Sequence, residues 1–310
     1  MRRTRDADHE AFDPTKAAYR GGWSRTALAR YLEGEGIEIG PGHQPWPLPY
    51  EGASLKLVDK WTADECRALF PELGEAAVFP EPDVICDLDA DGLAPFDDAS
   101  VDFVIASQIF EHVANPLRLL DDIHRVLRPG GVVLLLLPDR RRTFDQARSA
   151  TDVEHVVAEY QAGVTEVDDA HITEFMEHTG PLTGTFAGLS REEEIELHRK
   201  RSIHVHAWHE EDFLAVLVHA IGDMGHAWEV VDAVLADEDA VEVDPRHVFG
   251  FVMRKSTVTL PPEVRARRFE HVYWTWFHEW HAAHRIRGEY LMKPLRRFGR
   301  RVRRRLPGLR

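Results

Sequence analysis

Residues 101–137 read VDFVIASQIFEHVANPLRLLDDIHRVLRPGGVVLLLL. The run opens with a strand, Val101–Ala106. Asn115-Pro116 then supplies an N-cap and an N1 proline. Leu117, Leu120, Ile123 and Leu127 recur at helical spacing, and the spacing predicts a helix that Gly130-Gly131 stops after Arg128. Val132–Leu137 follows as a continuous apolar run, the pattern of a central parallel strand buried on both faces. Strand, helix and strand in this order form a crossover unit.

The same rhythm extends on both sides. Ile37–Ile39, Leu55–Val58 and Val84–Cys86 read as strands before it, and Glu229–Leu235 and His247–Met253 as strands after it. Thr62 and Glu65 have capping-box spacing, and Ser24 is a candidate N-cap for a helix to Leu32. A further helix is expected at Glu210–Ile221. Alternating strands and helices imply an α/β fold, doubly wound around a mostly parallel seven-stranded sheet. Residues 140–203 break the rhythm; they are polar, rich in His and Glu, and read as a helical cap inserted over the sheet's carboxyl edge. The expected organisation is an N-terminal arm at 1–22, a main domain at 23–260 carrying that insert, and a C-terminal helical extension at 261–310 ending in a basic tail.

Bulk properties narrow the function classes. The 310 residues are 44% hydrophobic and 29% charged, enough for a normal core without staples. The two cysteines, Cys66 and Cys86, form no CxxC pair, and a reduced, cytoplasmic chain is expected. The N-terminus, MRRTRDADHE, has no apolar h-region. Formal net charge is −15, yet residues 293–310 hold nine Lys or Arg and no acid, leaving −24 on the remainder. A body so acidic predicts no nucleic-acid partner. The tail, beside Phe269, Tyr273, Trp274, Trp276, Phe277 and Trp280, suits peripheral contact with an anionic inner-membrane surface, an acidic partner, or a solvated end. Oligomeric state is not legible.

In an open α/β sheet, ligands bind at the carboxyl ends of the strands where strand order reverses. Gly40-Pro41-Gly42 lets backbone pass close to a ligand there. Asp59 ends the next strand, from which a carboxylate can grip two ribose hydroxyls. Asp87 and Leu88 end the third, with an acid for an adenine amino group and a side chain for its ring. Ser107 and Gln108 end the fourth, beside the amino-acid end of a cofactor.

The stretch Gly36–Arg141 resembles the class I S-adenosylmethionine-dependent methyltransferases of the type-11 group. GIEIGPG at 36–42 is similar to that family's first motif, DLDADGLAPFDDASVDFVIASQIFEHV at 87–113 to the next two, and LRPGGVVLLLLPD at 127–139 to the last. The resemblance implies a Rossmann-like methyltransferase fold, S-adenosyl-L-methionine as cofactor, and Glu38, Gly40 and Gly42 around its methionine moiety. It places Asp59 at ribose, Asp87 and Leu88 at adenine, and Ser107 and Gln108 beside the sulfonium. One departure stands out. Gln44, followed by Pro45, occupies the place of the family's third glycine, and Pro45 has no N–H to offer a dinucleotide pyrophosphate.

An alcohol acceptor needs a base, and the candidates are His206, His112 and Asp139. His112 serves equally as a brace for the cofactor loop, and His206 as polar packing. His204, His206 and His209 lack the carboxylate or cysteine spacing of a metal site, and no metal is expected. EHV at 111–113 with HVHAW at 204–208 is similar to bacterial methyltransferases of glycan and glycoconjugate pathways, which implies a sugar hydroxyl of an oligosaccharide as acceptor. Trp208 would either stack on that sugar or pack in the core. A lipid or phenol acceptor, or a non-catalytic membrane-surface adaptor retaining the fold, are the alternatives.

Overall fold

The computed structural model describes residues 25–47, 52–180, 186–234 and 247–284. The arm at 1–22, the candidate cap Ser24 and the basic tail 293–310 lie outside them. Residues 1–271 form one compact unit and 272–310 a second.

Seven strands form one sheet: β1 Gly34–Ile39, β2 Ala53–Asp59, β3 Val84–Ile85, β4 Val101–Ser107, β5 Leu127–Pro138, β6 Trp228–Val234 and β7 Val248–Lys255. Their order is β3-β2-β1-β4-β5-β7-β6. β1 to β5 run parallel, and β7 lies antiparallel to both β5 and β6. The expected doubly wound, mostly parallel sheet is thus present, with an antiparallel strand between the fifth and sixth positions of the order 3-2-1-4-5-6. β1 and β4 are neighbours, so strand order reverses between them. Gly36 of β1 pairs with Phe103 of β4, and a Cβ at 36 would occupy the Phe103 ring.

The helices are α1 Arg25–Leu28, α2 Ala63–Leu69, α3 Pro116–Val126, α4 Val153–Ala162, α5 Asp169–Thr179, α6 Arg191–Arg201, α7 Glu210–Gly222 and α8 Pro262–His284. Among the described residues, none is long and apolar enough to cross a membrane. Thr62 and Glu65 form the expected capping box at α2. α3 buries Leu117, Leu119, Leu120, Ile123 and Val126. It ends at Val126 rather than Arg128, because Pro129 disfavours helical backbone at the residue before it. Leu127 instead starts β5, whose residues Val132–Pro138 are all buried. α4, α5 and α6 all fall within residues 140–203.

Asn115 joins α3 to this insert. Its side-chain oxygen accepts from Arg118 N at 3.1 Å, and its Nδ2 donates to Val164 O at 3.2 Å and, at 3.5 Å, to Glu159 O. Asn115→Ala removes a cap and the amide donor to the part-buried Val164 carbonyl. It is expected to cost about 2 kcal/mol in urea-induced unfolding, and a loss below about 0.5 kcal/mol would contradict this bracing.

Candidate cofactor and active site

The strand tips β1, β2, β3 and β4 converge on one cavity of about 330 Å³. The sheet ladder holds them to their ends: Gly40 N donates to Val58 O at 2.8 Å, Cys86 N to Asp59 O at 2.9 Å, and Gln108 N to Leu136 O at 2.8 Å.

At the tip of β1, Gly40 and Gly42 adopt φ of +61° and +55°, a region that disfavours side chains. A Cβ at Gly40 would also collide with the Ile109 side chain. Beneath this turn, the buried Glu38 accepts a hydrogen bond from Trp46 N at 2.8 Å and ties the loop back to its strand. Burial pushes the Glu38 carboxyl up to about 7.

β2 delivers Asp59, whose Oδ1 accepts from Trp61 N at 3.3 Å; burial raises its pKa. After β3, Asp87 pairs with Lys60 at 2.7 Å and accepts from Asp89 N at 3.0 Å. Burial works to raise this carboxyl, but the Lys60 hydrogen bond and charge hold it below the ordinary range. Asp89 also lines the cavity and accepts from Ala114 N at 2.7 Å. Burial lifts it to about 6.

At the tip of β4, Gln108 is a non-glycine residue at φ +59°, a costly conformation held by its surroundings. Its Nε2 is buried without a protein partner. Trp61, Phe70, Phe79 and Leu88 supply apolar walls. From the insert, Arg201 and Ile203 close the cavity; Arg201 pairs with Glu72 and lies over the Phe70 ring. His112 donates from Nδ1 to Ile203 O at 2.8 Å, which leaves its Nε2 as an acceptor. Burial, then the neighbouring His204, push His112 down to about 3.

These donors and acceptors fit an adenosyl amino acid. Asp59 and Asp87 can accept from hydroxyls and an amine, the aromatic and Leu88 walls suit a flat ring, and the orphaned Gln108 amide can donate to a carboxylate.

Residues 62–135 match the model of a methyltransferase domain. An uncharacterised methyltransferase of Mycolicibacterium vanbaalenii is 54% identical over 41 residues, 13% of this chain and 16% of that protein. A Mycolicibacterium smegmatis protein named "Probable S-adenosylmethionine-dependent methyltransferase" is 44% identical over 54 residues, 17% of this chain and 21% of its own. The chain therefore spans about a sixth to a fifth of the length of these relatives. Among solved structures, a SAM-dependent methyltransferase from Aquifex aeolicus aligns over 79% of this chain and 90% of its own at 17% identity and a TM-score of 0.37.

Of the residues singled out from sequence, Gly40, Gly42, Asp59, Asp87, Leu88, Gln108 and His112 line the cavity. Glu38 supports it from below. Ser107 does not line it; Gln108, one residue beyond the end of β4 and at positive φ, does. Asp139 and His206, expected as candidate bases, do not line it either and are buried. Asp139 is buried, caps the turn at Arg140–Arg142, and pairs with Arg141 at 2.5 Å. His206 is fully buried against Glu159 and Trp208. Trp208 packs on Phe213 in the core, so it offers no platform for a sugar. Asp89, Lys60 and Phe79 are cavity residues that sequence reasoning missed. The alternation Asp87-Leu88-Asp89 and the neighbour of Asp59 were the available signals for the first two; for Phe79 there was none.

Glu38 carries a pH signature. Its carboxyl ionises near pH 4.3 in an unfolded chain and near 7 when folded. Its contribution is therefore fully present below about pH 4.3 and is lost as pH rises through about 7. Glu38→Gln keeps the acceptor for Trp46 N without the ionisation. Relative to the parent, the variant should gain on the order of 2 kcal/mol between pH 5 and pH 8 in urea unfolding. Parallel pH profiles for the two proteins would exclude this assignment.

Proposed function

We propose that the protein is an S-adenosyl-L-methionine-dependent methyltransferase whose acceptor is a hydroxyl group, with an oligosaccharide or glycoconjugate as the substrate class. The observation that carries this reading is the single cavity shared by the tips of β1, β2, β3 and β4. When bound there, S-adenosylmethionine supplies a methyl carbon activated by its sulfonium charge.

The chain's part is binding and alignment. Asp59 accepts from the ribose hydroxyls. Asp87, with Asp89 beside it, accepts from the adenine amino group while Leu88 and Phe79 cover the ring. Gln108 Nε2 donates to the carboxylate of the amino-acid end, and the glycine turn at 40–42 lets backbone approach it. His112 presents a neutral ring whose Nε2, 3.9 Å from the buried Glu111 carboxyl, can accept from an O–H. A conjugate acid near pKa 3 stores a proton poorly, so His112 orients the acceptor hydroxyl more than it deprotonates it. The sugar class rests on the likeness of the 111–113 and 204–208 segments to glycan methyltransferases; a lipid or phenol hydroxyl would meet His112 in the same way.

Calorimetry with S-adenosylhomocysteine should show binding that weakens about tenfold or more in Asp59→Ala, a loss of about 1.4 kcal/mol or greater. No binding to the parent protein would sink the methyltransferase reading; equal affinity would remove the ribose role of Asp59. Transfer of labelled methyl into a panel of sugars, phenols and lipids is expected to favour sugars, and labelling of another class reassigns the acceptor. His112→Ala should lower kcat about tenfold, with cofactor affinity little changed; full turnover would strip His112 of its orienting role.

A further inference from the structure

The insert holds a second constellation, away from the cavity. His155 and Glu159 lie one turn apart on α4, the i,i+4 spacing that puts two side chains on one face. His171 stands in the first turn of α5, and His206 on the irregular segment between α6 and α7. None of the four lines the cofactor cavity.

Their donor atoms converge. His155 Nε2 lies 3.0 Å from Glu159 Oε1 and 3.1 Å from His171 Nε2. His171 Nε2 lies 3.4 Å from Glu159 Oε1, and His206 Nε2 3.0 Å from Glu159 Oε2. One ligand atom from each residue lies within 4.8 Å of all the others. In a tetrahedron with metal–ligand bonds of about 2.0–2.1 Å, the ligand atoms stand about 3.3 Å apart, so the three contacts among His155 Nε2, His171 Nε2 and Glu159 Oε1 have the size of one face of that tetrahedron, with His206 Nε2 at the other carboxylate oxygen. The three rings form a near-equilateral triangle, with centroids 5.2, 5.7 and 5.9 Å apart.

Tautomers sharpen the case. His171 Nδ1 faces Asp168 Oδ1 at 2.8 Å. A carboxylate only accepts, so Nδ1 carries the hydrogen, and in the neutral ring Nε2 turns a bare lone pair toward Glu159 and His155. A lone pair aimed at a carboxylate repels it unless a proton or a metal cation sits between them. A carboxylate behind a histidine, fixing which nitrogen faces inward, is also the usual outer support of a metal-bound imidazole. The His206 ring is held by stacking on Trp208 at 5.0 Å.

We infer that His155, Glu159, His171 and His206 bind one divalent transition-metal ion of the zinc class and thereby lock the insert together. Three imidazoles with one carboxylate suit zinc better than the oxygen-seeking magnesium or calcium. Four protein ligands leave no open position, so the ion is structural. His206 N also donates to Glu111 O at 3.1 Å, which connects the site to the segment preceding the cavity residue His112. His155 is the most exposed ligand and gives the ion its way in. The other histidines of the 204–209 run serve elsewhere: His204 pairs with Asp145 at 2.6 Å, and His209 caps α7.

Protein purified after growth with zinc and dialysed should carry about one zinc per chain by mass spectrometry of its metals. Stripping with a chelator should lower the melting temperature, and zinc but not magnesium should restore it. Cobalt(II) added to the stripped protein should give the intense visible absorption of a tetrahedral site. His155→Ala, at the partly exposed ligand, should keep the fold by circular dichroism and bind zinc at least about tenfold more weakly. Cobalt(II) giving only a pale octahedral spectrum, or equal zinc affinity in the parent and His155→Ala, overturns the site. The metal readouts need neither cofactor nor acceptor, so they stand apart from the methyltransferase assay.

Discussion

The parallel ladder between β1 and β4 determines where everything else can be. It brings Gly36 against the Phe103 ring with no room for a Cβ, and it carries the two strands to adjacent tips at Gly40 and Gln108. Chain order reverses across this pair, so the loops leaving it diverge and open a crevice. β2 and β3 extend the sheet on one side and bring Asp59 and Asp87 to the same edge. The cavity is a consequence of that topology, and its chemistry is whatever the residues after each strand supply.

Those residues are held at different protonation states by their surroundings. Lys60 keeps Asp87 ionised, whereas burial lifts Asp89 to about 6 and Glu38 to about 7. One carboxylate is thus a firm acceptor, and the others sit nearer to neutrality beside an apolar wall. His112, desolvated and hydrogen-bonded to the Ile203 carbonyl, stays a neutral acceptor at the cavity. A methyl donor that already carries its own positive charge asks for this kind of site: acceptors and a shaped wall rather than a strong acid.

The insert is where polar side chains replace a conventional core. Ile172, Ile203 and Val205 make a small apolar cluster, and around it run ion pairs such as Arg148 with Asp145 and Glu174. Histidines are concentrated in the same region. A small core with costly buried polar groups gains stability when a cross-link joins its elements, and the His155–Glu159–His171–His206 arrangement sits where such a link would tie α4 and α5 to the segment before α7.

The strand–helix–strand rhythm of 101–137, the capping box at Thr62, the N-cap at Asn115 and the turn at Gly40–Gly42 were legible because each is a local pattern. Periodicity and capping act over a few residues, and parallel sheets place strand ends together by topology alone. The side-chain partners were not legible. The turn at positive φ that follows β4 put Gln108 rather than Ser107 at the cavity, and packing buried His206 and Asp139 elsewhere. Pro129 ended α3 ahead of the glycines. His155 and Glu159 stand four residues apart on one helix, but His171 and His206 join them only through the folding of three separate segments. Local order follows from neighbours along the chain, whereas the meeting of side chains distant in sequence depends on how the elements pack.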